Sequence, residues 1–137
     1  AQKIDAVFYR RNAYECFDMI RKICLHLPCP ICATHARRYL GRIRAVSVDT
    51  KPKLQLLLYN FHNTVNRRLG KPNFPYRELR RYSRANLGIV LHNFVQLYGR
   101  KYNSRLLGGR MPSLNSRQRV AASVRDWFER HWHLFRH

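Results

Sequence analysis

The sequence predicts an all-α fold, a small four-helix bundle with an additional helix, and three observations carry that expectation. No stretch sustains the apolar–polar alternation of a half-buried strand. Apolar residues instead recur at three- and four-residue intervals, the spacing that gathers side chains on one helix face. Proline and glycine fall mainly between these periodic stretches, where they begin or end helices.

From about Ala6 to Leu27, Phe8, Ala13, Cys16, Phe17, Ile20, Ile23 and Cys24 follow helical spacing. Pro28 ends this first helix, because a residue preceding proline is pushed out of helical geometry. A second helix is expected from the Cys29-Pro30-Ile31-Cys32 stretch to about Arg44, with Pro30 in the first turn, where no amide hydrogen bond is lost. Val46 to Lys53 reads as a connector, in which Asp49 or Thr50 caps the next helix ahead of Pro52. Leu54, Leu57, Leu58, Phe61, Val65 and Leu69 form the apolar stripe of that third helix. Gly70 stops it, and the run from Lys71 to Pro75 makes a turn. Another helix is expected from Tyr76 to about Tyr102, broken near Gly88, then a loop from Gly108 to Ser113 and a last helix over about Ser116 to Phe135. Residues 1–137 thus read as one domain, with 104–137 as a C-terminal helical extension.

At 137 residues, 45% of them hydrophobic, the chain can bury a core and is not globally disordered. Its charge balance is unusual: 27 Lys and Arg face 7 Asp and Glu, a formal net charge of +20. Such a field attracts polyanions, whether nucleic acid, phosphorylated cofactors or acidic partner surfaces. No run approaches the ~18 apolar residues that cross a bilayer, so no membrane span is expected. No secretory leader is visible either, in a sequence that opens on Ala1 and so leaves processing open.

All four cysteines, Cys16, Cys24, Cys29 and Cys32, lie in the first quarter of the chain. A stapled scaffold would spread its bridges, so the cluster points to redox chemistry or metal binding. In disulfide exchange the attacking species is a thiolate, and a helix N-terminus favours one through its unpaired amides and dipole. Arg37 and Arg38 add positive potential further along. Cys29 is therefore expected to exchange with an incoming dithiol while Cys32 faces inward. The alternative is zinc held by Cys29, Cys32 and His35 with His62 or Cys24, although no second ligand pair follows at short spacing. A thioredoxin fold is disfavoured, since no strand precedes Cys29.

On the third helix Tyr59, His62, Asn63 and Asn66 flank the leucine stripe, with His62 and Asn66 one turn apart. Groups that both donate and accept suit the edge of a flavin or adenine ring, and Arg67 and Lys71 suit a pyrophosphate. The stretch His92-Asn93-Phe94-Val95-Gln96 echoes His62-Asn63-Thr64-Val65-Asn66 thirty residues on. Duplication would produce it; we read it as chance in a chain rich in His, Asn and Lys.

The run from Phe61 to Phe74 resembles the HNxVNxxLGKPxF signature of the Erv/ALR family of FAD-dependent sulfhydryl oxidases. Leu27-Pro28-Cys29-Pro30-Ile31-Cys32 with His35 is similar to that family's YPCxxC…H segment, in a form nearest its poxvirus-type viral members. The resemblance covers about Glu15 to Tyr76. It implies a bundle cradling FAD, in which Cys29 exchanges with thiol-containing client proteins and Cys32 passes their electrons to the isoalloxazine. Dioxygen is then the final acceptor, giving hydrogen peroxide. His35, His62, Asn63, Asn66 and Lys71 would contact FAD, with Arg67 and Tyr76 at the edge of the set and no metal. The family also implies a homodimer.

Two departures stand out. No Trp precedes Cys29, whereas the family usually carries one before its CxxC helix, and Trp127 and Trp132 sit in the last helix; either the N-terminus is truncated or the C-terminal helices supply the missing wall of the FAD site. No shuttle CxxC lies near a terminus, so either substrate dithiols reach Cys29 directly or Cys16 or Cys24 serves, and of these readings we take Cys16 and Cys24 as inert thiols on the first helix. The rival reading is a basic helical nucleic-acid-binding protein with a structural or zinc-binding CxxC.

Overall fold

Asn12 divides what the sequence presents as one N-terminal helix. In the computed structural model, which describes residues 1–101 and 113–135, α1 spans Ala6–Arg11 and α2 spans Ala13–Leu25. Asp5 caps α1 by accepting the Phe8 amide at 2.8 Å. Asn12 leaves helical geometry, and its side-chain amide donates to the Phe8 carbonyl at 2.9 Å, so it closes one helix and opens the next. α3 spans Pro30–Leu40 and ends at Gly41, a turn earlier than expected. A 3-10 turn over Ala45–Val48 leads to α4, Lys51–Arg68, which has Pro52 in its first turn.

The expected long helix from Tyr76 is two elements instead. Tyr76–Arg84 is 3-10 and contains no buried residue, and α5 covers Leu87–Tyr98 after an Asn86 cap that accepts the Ile89 amide at 3.1 Å. The physical reason is visible in the spacing. Tyr76, Leu79 and Tyr82 recur every three residues, which aligns them on a 3-10 helix and scatters them on an α-helix. α6 spans Leu114–His131, capped by Ser113, and a 3-10 turn follows over Trp132–Leu134. The expected loop lies outside the described residues from Gly108 to Pro112, as does the Tyr102 end of the helix before it.

α2 is the hub of the packing: it lies against α3, the Ala45–Val48 turn and α6, while α5 packs on α6. Tyr9, Phe17, Leu40, Leu54 and Trp127 form the centre of the core. Polar side chains tie its edges. The Tyr9 hydroxyl donates to the Val48 carbonyl at 2.6 Å, and Arg21 reaches the carbonyls of Leu40 and Ile43 at the end of α3. Trp127 donates its indole N–H to Glu15 on α2 at 2.7 Å. The two ends of the described chain meet in a single antiparallel bridge between Ile4 and Phe135. Among the described residues no helix is long and apolar enough to cross a membrane.

Candidate functional site

Pro28 separates α2 from α3, and Cys29 takes the extended conformation of an N-cap, with φ −94° and ψ 111°. A residue there turns its side chain back over the first helical turn. Cys29 Sγ accordingly accepts the Cys32 amide at 3.3 Å, and the two sulfurs are joined as a disulfide with Cα atoms 5.1 Å apart. The Cys32 amide in the first turn of the helix therefore points at the Cys29 sulfur, the polarity a thiolate needs. Both cysteines are half-buried, so burial does not draw the expected division into an outward Cys29 and an inward Cys32. Ile31 between them is 56% exposed, which leaves the disulfide approachable from that side.

His35 stands one turn beyond Cys32. Its ring stacks on Phe61 of α4 at 6.0 Å between centroids, and Tyr39 packs on the same Phe61 at 4.9 Å. Burial, together with the guanidiniums of Arg68 and Arg38, holds the His35 pKa below the ordinary imidazole value. Phe61 is thus the joint between the CxxC helix and the His-Asn helix, a role the sequence does not signal beyond its place in the apolar stripe.

One residue on, α4 turns to a different neighbour. His62 sits 5.2 Å from the ring of Phe74 and helps line a cavity of about 370 Å³ walled by Leu58, Tyr59, Phe74, Tyr82 and Phe128. Asn63 is only 4% exposed and holds both backbone polar groups of Phe74: its amide nitrogen donates to the Phe74 carbonyl at 3.1 Å and its oxygen accepts the Phe74 N–H at 2.7 Å. Asn66 also holds the returning chain one turn later, its side-chain nitrogen donating to the Pro72 carbonyl at 3.2 Å while its backbone carbonyl accepts the Lys71 amide. Gly70, at φ +66°, makes the reversal between them, in a conformation that costs an L side chain energy. The motif is therefore a self-locking turn: α4 binds the chain that follows it and sets Phe74 against His62.

The predicted set separates into two groups. His62, Asn63, Asn66 and Lys71 are gathered by α4 and this turn, and Tyr76 joins them edge-on to Tyr59 at 5.2 Å, with 58% of its surface exposed. Arg67 is exposed and donates to Thr64 at 3.2 Å. Cys29, Cys32 and His35 do not line the cavity, and their helix meets α4 where His35 stacks on Phe61. Phe128 of α6 and Phe135, beyond the last 3-10 turn, line this cavity. Trp127 packs into the core and Trp132 lies beside Gly88, so neither of the expected tryptophans lines the cavity. The aromatic pair missed from sequence, Phe74 and Tyr82, packs at 6.0 Å, and the three-residue spacing of Tyr76, Leu79 and Tyr82 is its signal.

Cys29 and Cys32 are bonded to each other, and among the described residues no three His, Cys, Asp or Glu side chains converge as a metal site. The other thiols differ in kind: Cys16 is buried on α2 and Cys24 half-buried, and loss of hydration pushes both up to about 11.

Known proteins of similar sequence exist. The chain is 27% identical over 90 residues to the FAD-linked sulfhydryl oxidase of African swine fever virus (isolate Tick/Malawi/Lil 20-1/1983), covering 65% of this chain and 75% of that protein. It is 45% identical over 58 residues to the "Putative FAD-linked sulfhydryl oxidase 096R" of Invertebrate iridescent virus 3, covering 40% of this chain and 38% of that protein. The similarly named protein 347L of Invertebrate iridescent virus 6 is 34% identical over 64 residues, covering 42% and 58%. The chain thus matches well under two thirds of the length of the two iridescent-virus proteins. No solved structure matches it. The model of one protein family, however, matches residues 6–84, a span that runs from the start of α1 through the CxxC, the self-locking turn and the 3-10 segment; the chain belongs to the Erv1 / Alr family.

Proposed function

We propose that the protein is an FAD-linked thiol oxidase that forms disulfide bonds in client proteins and passes their electrons to dioxygen. The observation that carries this reading is the Cys29–Cys32 disulfide at the head of α3, packed through His35 and Phe61 onto the helix of the His-Asn turn. A client thiolate attacks Cys29 Sγ, the Cys29–Cys32 bond breaks, and Cys32 leaves as a thiolate. A second client thiol then attacks the mixed disulfide, which releases the client oxidised and leaves two electrons on the Cys29 and Cys32 thiols. The Cys32 amide aimed at Cys29 Sγ stabilises the sulfur when it departs carrying negative charge.

The donor set fits FAD. The aromatic walls around His62 suit a flat ring, and exposed Arg67 and Lys71 at the end of α4 suit a pyrophosphate. When bound, FAD supplies a two-electron acceptor that dioxygen reoxidises, with hydrogen peroxide as product. Asn63 and Asn66 hold the Phe74 and Pro72 backbone, so their part is to set the wall. His35, stacked on Phe61, fixes how α3 meets that helix. Purified protein is expected to show the visible flavin absorbance. Cys29→Ser should keep that absorbance and lose turnover of a small dithiol by at least about a hundredfold; a colourless, zinc-containing protein overturns the reading.

A further inference from the structure

The 3-10 segment Tyr76–Arg84 divides its residues among three stripes, because three residues make a turn. Tyr76, Leu79 and Tyr82 form the inner stripe: Tyr76 meets Tyr59 edge-on, and Leu79 and Tyr82 line the cavity. The other two stripes carry Arg77 with Arg80, and Arg81 with Arg84, all four exposed. Glu78 is the one carboxylate of the segment, and it reaches Arg81 at 3.8 Å on an open surface, where such a pair is weak. Arginines on the same stripe stand about 6 Å apart along the axis, from a rise of about 2.0 Å per residue. That approximates the distance between neighbouring phosphates of a strand.

We propose that this outer face binds the phosphate backbone of single-stranded nucleic acid, with Tyr76 and Tyr82 as stacking surfaces at its margin. All four cations are arginine, whose planar fork takes phosphate oxygens in pairs. Arginines alone would also take an acidic protein. The tyrosines favour nucleic acid, because they are 58% and 45% exposed at the edge of the cationic stripes and bases stack on such rings. The net charge of +20 also suits a uniform polyanion that tracks across the surface better than one acidic patch. The surface lies on the outside of the cavity wall and needs no flavin chemistry, so it stands or falls apart from the oxidase reading.

The test is fluorescence anisotropy of the full chain with a short fluorescein-labelled oligodeoxythymidylate, repeated across a salt series. Combining Arg77→Gln, Arg80→Gln, Arg81→Gln and Arg84→Gln should weaken binding at least about tenfold and flatten the log–log salt slope by about 3, the loss of four phosphate contacts on a single strand. The pair Arg80→Gln and Arg84→Gln should flatten it by about half as much, and thermal midpoints should stay within a degree or so, since no residue of the segment is buried. Removing four charges elsewhere, with Arg10→Gln, Arg42→Gln, Arg44→Gln and Arg119→Gln, should leave most of the affinity. An equal loss in that variant overturns the site in favour of diffuse charge. Competition by polyglutamate as strong as by the unlabelled oligonucleotide overturns the nucleic-acid assignment in favour of an acidic protein.

Discussion

His62-Asn63-Thr64-Val65 on α4 and His92-Asn93-Phe94-Val95 on α5 share three of four letters and almost nothing else. Asn63 is buried and grips both backbone polar groups of Phe74, whereas Asn93 is exposed. His62 faces Phe74 across the cavity, whereas His92 is exposed and lines no part of it. α5 is fixed from its other end. Tyr98 donates its hydroxyl to the Ile23 carbonyl of α2 at 2.7 Å, and buried Arg117 of α6 donates to the Tyr98 and Arg100 carbonyls at 2.9 and 2.8 Å. An Asn on a helix becomes structural when the chain returns to meet it, and Gly70 produces that return on α4.

The largest effect should come from breaking the lock. Asn63→Ala leaves the Phe74 N–H and carbonyl without their partner in a half-buried site, at a cost of about 2–3 kcal/mol. Asn93→Ala, at an exposed position, should change stability by less than about 0.5 kcal/mol. Urea denaturation of the two variants side by side measures the contrast; equal losses would mean the two asparagines are equivalent after all. A smaller effect is expected at the histidines. His62→Ala removes a ring from the cavity wall and should weaken flavin retention about tenfold, roughly 1.4 kcal/mol. His92→Ala should leave flavin content unchanged, as absorbance after gel filtration would report.

The division between legible and illegible features follows the same physics. The helical class, the start of α3 at the CxxC and the Gly70 stop can be read from the sequence, because each depends on residues within one or two turns. The break at Asn12 is hidden because an apolar period runs straight through it, and only the side chain's bond to the Phe8 carbonyl shows why the helix divides there. The 3-10 segment is hidden for a related cause: a three-residue period looks like a ragged α-helical stripe when helices are expected. In the site, residue types are legible and jobs are not. Asn63 and Asn66 read from sequence as cofactor ligands, and the backbone groups that their side chains also hold, eleven and six residues downstream, are located only in the fold.

The smallest effect sharpens the comparison from the α5 side. Tyr98→Phe removes one hydrogen bond to the Ile23 carbonyl and should cost about 1 kcal/mol near neutral pH, less than the loss of Asn63 with its two bonds. Burial pushes the Tyr98 hydroxyl well above its usual 10.0, reinforced by Cys24, while Arg117 pulls the other way. A folded pKa above the unfolded one means the stabilisation is complete below about 10 and drains away as pH rises beyond it. The native protein should therefore lose stability on the alkaline side, and the Phe variant should lose less, so the two denaturation curves converge as pH climbs. Parallel curves would show that α5 is held by Arg117 and apolar packing alone, with the hydroxyl contributing nothing that titrates. The same alkaline series on Asn63→Ala should run parallel to the native protein, because the α4 lock contains no titrating group.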